Sequence, residues 1–301
     1  MRIASIDIGT NSVLLLIADI SDDGSIVHIH SDISEPRLGE NLTSSDLIME
    51  KPLARTAEAV RNFAKLAIKM GSEKIIPFGT EVFRRAKNGS DSAEFISNSI
   101  NLPLRILSPE EEARYAFVGA LSGLSVSEKN AVIDVGGGSS EIAWGKDLPE
   151  GFISLPFGAV IVAEKCPAFP PFNNAVKERV FDWMKNERDN IPLLDSDMRV
   201  VAVGGTITTL AGISLSLDKY VPEKIHGHIL TKKKIEKIFE EMYLLDADSI
   251  ALKIPFAPNR ADIILAGTAI YLYLMDVLHA ESLTVSDRGP RWGIIISELT
   301  N

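Results

Sequence analysis

The chain carries one short pattern twice. Ala4–Ser12 reads A-S-I-D-I-G-T-N-S and Ala131–Ser139 reads A-V-I-D-V-G-G-G-S, so Asp7 matches Asp134, Gly9 matches Gly136 and Ser12 matches Ser139, 127 positions apart. A second pair follows in the same order. Ile75–Thr80 (I-I-P-F-G-T) resembles Val201–Thr206 (V-A-V-G-G-T), 126 positions apart. Each member reads as an apolar strand, a glycine turn and the start of a helix. Two matches at nearly one spacing mean an internal duplication. At about 150 residues per domain, the 301 residues hold two copies of one α/β unit. The expected arrangement is two domains facing each other across a cleft, over residues 1–118 with a C-terminal helix near 289–301, and over 119–288.

Hydrophobic periodicity supports that reading. Met1 to Ile8, Ser12 to Ile20 and Ser25 to Ile33 are apolar and β-branched and read as a strand meander. Ser45 to Met70 reads as a long amphipathic helix closed by Gly71. Lys74 to Phe78 reads as a buried strand leading into a helix from Thr80, and Leu104 to Leu107 as a short strand. Ser108-Pro109-Glu110-Glu111 then opens a helix to about Leu121, with Ser at the N-cap and Glu three residues on. In the second half, strands are expected at Ala131–Val135, Glu141–Trp144, Gly151–Leu155, Arg199–Val203 and Leu283–Ser286. Helices are expected over Asn259–Leu278 and Gly289–Leu299. Pro167 to Asn174 reads as a surface loop.

Composition narrows the class. The net charge of −10 argues against a nucleic-acid binder, which would carry a basic face. Cys166 is the one cysteine, so an internal disulfide and a CxxC metal site are excluded, and a reducing compartment fits. No apolar run reaches the roughly 18 residues of a membrane helix. Asp7 and Asn11 interrupt the stretch where a signal peptide would have its apolar core. The expectation is a cytoplasmic protein with no membrane partner.

The duplicated turns suit phosphate. In Asp7-Ile8-Gly9-Thr10-Asn11-Ser12, a glycine and three small polar residues follow a strand end. Such a turn exposes main-chain N–H groups to an anion, and its side chains add donors. Gly136, Gly137, Gly138 and Ser139 form a second version whose glycines admit close backbone approach. Gly204, Gly205 and Thr206 form a third. A hairpin turn is the plain alternative for each. Asp7 and Asp134, one per domain, would meet across the cleft and hold Mg²⁺, which takes one or two carboxylates, waters and phosphate oxygens. Alternatively both only cap their turns.

These motifs resemble the acetate/sugar kinase, Hsp70 and actin superfamily. Within it, the chain is similar to the exopolyphosphatase / guanosine pentaphosphate phosphohydrolase (Ppx/GppA) family. The resemblance runs almost end to end, through D-I-G-T-N-S-V-L-L-L-I (7–17), F-R-R-A-K-N (83–88), I-L-S-P-E-E-E-A-R (106–114), I-D-V-G-G-G-S-S-E-I (133–142), V-G-G-T-I-T-T-L-A (203–211), P-N-R-A-D-I-I-L-A-G (258–267) and V-S-D-R-G-P-R-W-G (285–293). It implies two ribonuclease-H-like (actin-like ATPase) domains. The implied activity is a Mg²⁺-assisted hydrolase removing terminal phosphate from polyphosphate or guanosine pentaphosphate, with a homodimer as the family's suggestion. The chain resembles the shorter, two-domain members.

The resemblance makes Glu112 the general base and Arg84 a phosphate-holding residue. From the residues alone, Glu112 is one of three first-turn glutamates that complement the helix dipole, and Arg84 sits on a helix face. The sequence assigns no role to Arg85, Arg291 or Trp292; Trp292 stands where the family commonly has Glu. His226 and His228 lack a third metal ligand at useful spacing. A nucleotide or polyphosphate kinase and a non-catalytic nucleotide sensor stay open as alternatives, and so does the choice of substrate.

Overall fold

The structure is a computed structural model that describes residues 1–125, 127, 129–165, 174–186, 191 and 198–299. Cys166 and the loop expected from Pro167 lie outside the described residues. The chain divides into two compact units, Met1–Gly119 with the segment from Pro290, and Ala120–Gly289.

The first unit holds β1 (Arg2–Ile8), β2 (Val13–Ile20), β3 (Ile26–Ser34), α1 (Leu42–Ser45), α2 (Glu50–Lys69), β4 (Lys74–Gly79), α3 (Glu81–Arg85), α4 (Gly89–Ile100), β5 (Arg105–Ile106) and most of α5 (Pro109–Leu121). Its sheet runs β3-β2-β1-β4-β5. β1, β2 and β3 are antiparallel, and β4 and β5 continue parallel to β1. Both sheet faces are covered, as the strict alternation on β2 requires. Val13, Leu15 and Ile17 pack with α2 residues such as Val60 and Phe63. Leu16, Ala18 and Ile20 pack on the other face with Tyr115, Trp292, Ile294 and Ile295.

The second unit holds β6 (Asn130–Val135), β7 (Ser140–Gly145), β8 (Pro149–Leu155), α6 (Ala159–Lys165), α7 (Asn174–Lys185), β9 (Arg199–Val203), α8 (Gly205–Ser214), α9 (Pro222–Ile225), β10 (Ile229–Thr231), α10 (Lys232–Glu240), α11 (Ala247–Lys253), α12 (Ile264–Val277) and β11 (Ser282–Val285). Its sheet runs β10-β11-β9-β6-β7-β8. The antiparallel trio β6, β7, β8 and the parallel neighbours β9 and β11 repeat the order of the first sheet. β10 is an added edge strand, antiparallel to β11. Each unit is thus a ribonuclease-H-like α/β layer structure of the actin-like kind. α13 (Pro290–Ser297) belongs to the first unit, where the Ser5 hydroxyl donates to the Arg291 carbonyl at 2.9 Å.

Two helices start later than the sequence expectation, and the helix expected from Thr80, whose end the sequence does not mark, is short. α2 starts at Glu50 rather than Ser45. Asp46 adopts a left-handed conformation (φ 56°), and the Ile48 N–H is tied to the Asn88 carboxamide at 2.8 Å, so 46–49 cannot join the helix. The helix from Thr80 ends at Arg85, and the chain turns before α4, where Gly89 lies against the Phe83 backbone. α12 starts at Ile264 because Pro258–Arg260 forms a separate 3₁₀ turn. Among the described residues, no helix is long and apolar enough to cross a membrane.

Candidate active site

In the first unit, Asp7 is the next-to-last residue of β1, beside Leu14 of β2 and Phe78 of β4, and is 8% exposed. The turn after it closes by the Gly9 N–H donating to the Ser12 carbonyl at 3.0 Å. Arg37 and Gly39 N–H groups donate to the carbonyls of Asn11 and Thr10 at 3.0 and 2.9 Å. These bonds turn the carbonyls back toward the protein. The Thr10 and Asn11 N–H groups find no acceptor among the described residues, as an anion-binding turn requires.

Glu112 is delivered by the capping box of α5. The Glu111 N–H donates to the Ser108 hydroxyl at 3.2 Å, and the Ser108 N–H donates back to Glu111 Oε2 at 2.9 Å. Glu111 also pairs with Arg105. With Glu111 used as the cap, Glu112 points about 100° further round the helix and is buried, 7% exposed. Arg84 donates to Glu112 Oε2 at 2.9 Å and to the Leu107 carbonyl at 2.6 Å. The guanidinium is therefore not on a solvated face: it braces the carboxylate.

Beside this pair sits Glu81, the first residue of α3. Its Oε1 lies 3.6 Å from Arg85, and the Thr10 hydroxyl is a further neighbour. Arg85, without a role in the sequence reading, is thereby a partner of Glu81. Burial pushes both Glu112 and Glu81 above the usual carboxylate range. For Glu112 the Arg84 cation opposes the rise and the like charge of Glu81 adds to it. For Glu81 both Arg85 and Arg84 oppose it. A buried carboxylate whose proton affinity is raised by desolvation is suited to act as a general base.

Substituting Arg84 tests this bracing. Arg84→Met removes the charge that holds Glu112 down, so the acid limb of the pH–rate profile moves to higher pH. Turnover at pH 7 falls about tenfold or more, up to the roughly 10²–10⁴ ascribed to general bases. An unmoved limb would show that the Arg84–Glu112 contact is packing alone.

In the second unit the turn closes in the same way, with the Gly136 N–H donating to the Ser139 carbonyl at 3.0 Å. The Gly136 and Gly137 carbonyls accept from Ala159 and Val160 at the start of α6, at 2.9 and 3.0 Å. Gly137 and Gly138 N–H groups have no acceptor among the described residues. Gly204 follows β9 with φ 105°, and its α-carbon packs on the end of β6, where a Cβ would stand 2.7 Å from the Val135 carbonyl and 3.3 Å from Asp134 Oδ1. Thr206 is fully buried, with its hydroxyl 3.5 Å from an Arg260 nitrogen. His226 and His228 are spoken for separately, by Ser286 at 3.2 Å and Ser214 at 3.2 Å. Trp292 is a core residue of the first unit, 4% exposed and stacked near His28.

The structure thus gathers the Thr10 turn, Arg84 and Glu112 in one unit, and Asp134, the triple-glycine turn and Gly204–Thr206 in the other. It adds three residues the sequence reading left without a role. Glu81 gave only an i,i+4 charge pair with Arg85. Arg260 lies over the start of α8. Glu141, 2% exposed, is directly opposite Asp134 across β6 and β7, and accepts from the Ser154 hydroxyl at 2.9 Å. The hairpin register was the available signal, since residues paired across strands share a sheet face.

Asp134 and Glu141 share a sheet face and present hard oxygen atoms of the kind magnesium takes. Among the described residues no group of three or more His, Cys, Asp or Glu side chains converges on one point. A magnesium ion sharing few protein ligands and several waters and phosphate oxygens fits that donor set; a closed structural metal site does not.

Known proteins match this architecture along its length. The Ppx/GppA phosphatase family model matches residues 16–301. Exopolyphosphatase 2 of Mycobacterium tuberculosis is 27% identical over 98% of this chain and 98% of its own. The bifunctional 3-dehydroquinate synthase/phosphatase of Fusobacterium nucleatum is 28% identical over 99% of this chain, which spans only 46% of that protein's length. The crystal structure of the Aquifex aeolicus Ppx/GppA family member has a TM-score of 0.83 and 32% identity, covering 100% of this chain and 98% of its own. The chain belongs to the Ppx/GppA phosphatase family.

Proposed function

We propose that the chain removes terminal phosphate from inorganic polyphosphate by direct attack of water, with Glu112 as the general base. Family membership makes it a hydrolase of phosphoanhydride bonds. The finer reading rests on one observation: a buried glutamate is held by an arginine in the same unit as a turn whose amides lack acceptors. Amides of the Thr10–Ser12 turn and of Gly136–Ser139 bind phosphoryl oxygens, and the growing charge on them is stabilised where it develops. Arg84 holds Glu112 oriented and adds positive charge. Glu112 takes a proton from the attacking water, a contribution of roughly 10²–10⁴ in rate. Asp7 and Asp134, with Glu141 opposite the latter, are the residues proposed to hold Mg²⁺. When bound, that ion would neutralise phosphate charge that the carboxylates would otherwise repel.

A named relative favours polyphosphate, since the Mycobacterium tuberculosis protein of similar length is called an exopolyphosphatase. Guanosine pentaphosphate is the second reading. The test compares phosphate release from short polyphosphate, long polyphosphate and guanosine pentaphosphate in ¹⁸O-labelled water, with and without Mg²⁺. The expected result is faster release from polyphosphate, one solvent oxygen in each orthophosphate, and loss of turnover on chelation. A phosphorylated acceptor in place of free orthophosphate would mean transfer, as in a kinase. Faster release from guanosine pentaphosphate would reassign the substrate. No release from any of the three would leave binding without catalysis.

A further inference from the structure

α12 is mostly apolar, yet it carries a hydroxyl to the end of a strand in the second unit. Tyr271 is fully buried, and its hydroxyl donates to the Val203 carbonyl. Val203 is the last residue of β9 and pairs in register with Asp134 of β6. The chain leaves the sheet at Gly204, the residue packed against the Val135 carbonyl and Asp134 Oδ1. One turn before Tyr271, on the same face of α12, Gly267 lies against Thr206, where a Cβ would stand 2.2 Å from the threonine hydroxyl oxygen. The helix therefore seats the Val203–Thr206 turn at two points. Tyr271 caps its first residue, and Gly267 makes room for its last. The other buried hydroxyls of α12 go elsewhere: Thr268 donates to the Ile264 carbonyl of its own helix at 2.7 Å, and Tyr273 to the Met184 carbonyl of α7 at 2.8 Å.

A phenylalanine would fill the same space without taking a hydroxyl out of water, a step that is unfavourable unless a hydrogen bond offsets it. The bond Tyr271 makes falls where the placing of a strand end matters. Gly204 and Asp134 meet there, and the triple-glycine turn begins two residues after Asp134. We propose that Tyr271 is a positioning residue: by holding the Val203 carbonyl it sets where Gly204 presses on Asp134, and so aims the Asp134 carboxylate and the glycine amides that follow it. This rests on the reading of Asp134 as a magnesium ligand and of Gly136–Ser139 as phosphate donors. Tyr271 acts on them through the Val203–Gly204 main chain. Without the hydroxyl, the buried Val203 carbonyl loses a donor and the end of β9 settles in a new place. Gly204 moves with it as the next residue, and Asp134 moves because Gly204 packs on it. Burial, and after it the negative charge of Asp134, raises the Tyr271 proton affinity well above the usual phenol range. The hydroxyl is therefore a donor at every assay pH.

The experiment compares Tyr271→Phe with Tyr273→Phe. Tyr273 is also buried and also donates to a main-chain carbonyl, but on α7. Each substitution deletes one buried hydroxyl and keeps the ring. Both are expected to lower the melting temperature by a similar amount, about 2–4 °C. Two readouts separate them: kcat and KM on polyphosphate of defined length at saturating Mg²⁺, and Mg²⁺ binding by calorimetry with no substrate present. Tyr271→Phe is expected to raise KM and the Mg²⁺ dissociation constant about 3–30-fold each, the scale of coupling through a residue that touches neither ligand, with kcat within about threefold of wild type. Tyr273→Phe is expected to leave all three near wild type. Equal KM and Mg²⁺ constants in the two variants overturn the proposal, since the Tyr271 hydroxyl would then serve the core alone. If Tyr271→Phe does not fold, Gly267→Ala is read in its place, because its Cβ displaces Thr206 from the same turn; unchanged constants there overturn the proposal as well. Asp134→Asn is run alongside. If it binds Mg²⁺ as wild type does, the metal reading of Asp134 fails and Tyr271 is judged by KM. If it loses the ion while Tyr271→Phe matches Tyr273→Phe, the role of Tyr271 alone fails.

Discussion

Replacing Glu112 by glutamine is expected to lower turnover by roughly 10²–10⁴ and to leave the protein as stable as wild type or more so. The first effect follows from its proposed role as base: the carboxamide keeps shape and still accepts from Arg84, but it cannot take a proton. The second follows from burial. Glu112 is 7% exposed, and desolvation raises its proton affinity above that of the unfolded chain, with Glu81 adding and Arg84 opposing. Below about pH 4, near the unfolded glutamate value, both states hold the proton and the substitution is neutral. As pH rises from there to the folded value, the unfolded state ionises first and wild-type stability falls. The glutamine variant has nothing to ionise, so its melting temperature should gain on wild type across that window and hold the gain above it. Thermal melts from pH 4 to pH 8, alongside steady-state kinetics, test both halves. Turnover within a few-fold of wild type would remove Glu112 as the base. A melting temperature that falls relative to wild type with rising pH would mean that the ionised carboxylate stabilises the fold. Such a trade of stability for activity is common where a charge is buried for chemistry.

The parts of the fold that a linear reading recovers are those encoded by neighbouring residues. The two glycine turns are visible because each needs an aspartate at a strand end, a glycine and a serine three positions on. The structure closes both with the same Gly N–H to Ser carbonyl bond. The cap that delivers Glu112 is visible because Ser108 and Glu111 are one turn apart. What stays hidden is set by tertiary partners. The break before α2 depends on Asn88, which is 40 residues from the Ile48 amide it binds. The early end of α3 depends on Gly89 packing against Phe83. β10 has three residues, too few for a periodic signal, and exists because β11 offers it an edge. Among site residues, Glu141 becomes informative only when the hairpin register sets it opposite Asp134. Glu81 does so only when α5 brings a second carboxylate near it. Chemistry that depends on two side chains from distant segments is the part that local pattern does not carry.

Gly204 shows the same dependence from the backbone side, and Gly204→Ala is expected to damage both stability and substrate binding. The residue holds φ 105° and ψ 161°, a region that is nearly exclusive to glycine. Forcing alanine there costs about 1–3 kcal/mol in conformation alone. The new Cβ would also stand 2.7 Å from the Val135 carbonyl and 3.3 Å from Asp134 Oδ1. That carbonyl belongs to the end of a sheet strand and cannot rotate away, so overpacking adds about 1–3 kcal/mol. At about 2–4 °C per kcal/mol for a domain of this size, the melting temperature should fall by roughly 5–15 °C. The strand end that must shift carries Asp134 and leads into the triple-glycine turn, so KM for polyphosphate should rise about tenfold or more even where the protein remains folded. Gly24→Ala is the control. Gly24 also has a positive φ, 81°, but a Cβ there meets nothing within 4 Å. It reports the cost of a positive φ without a steric clash, and its kinetics should match wild type. Calorimetry and steady-state assays on both variants separate the two terms. If Gly204→Ala melts within about 2 °C of Gly24→Ala with an unchanged KM, the turn after β9 has room to spare and the account of Gly204 as the wedge beside Asp134 is wrong.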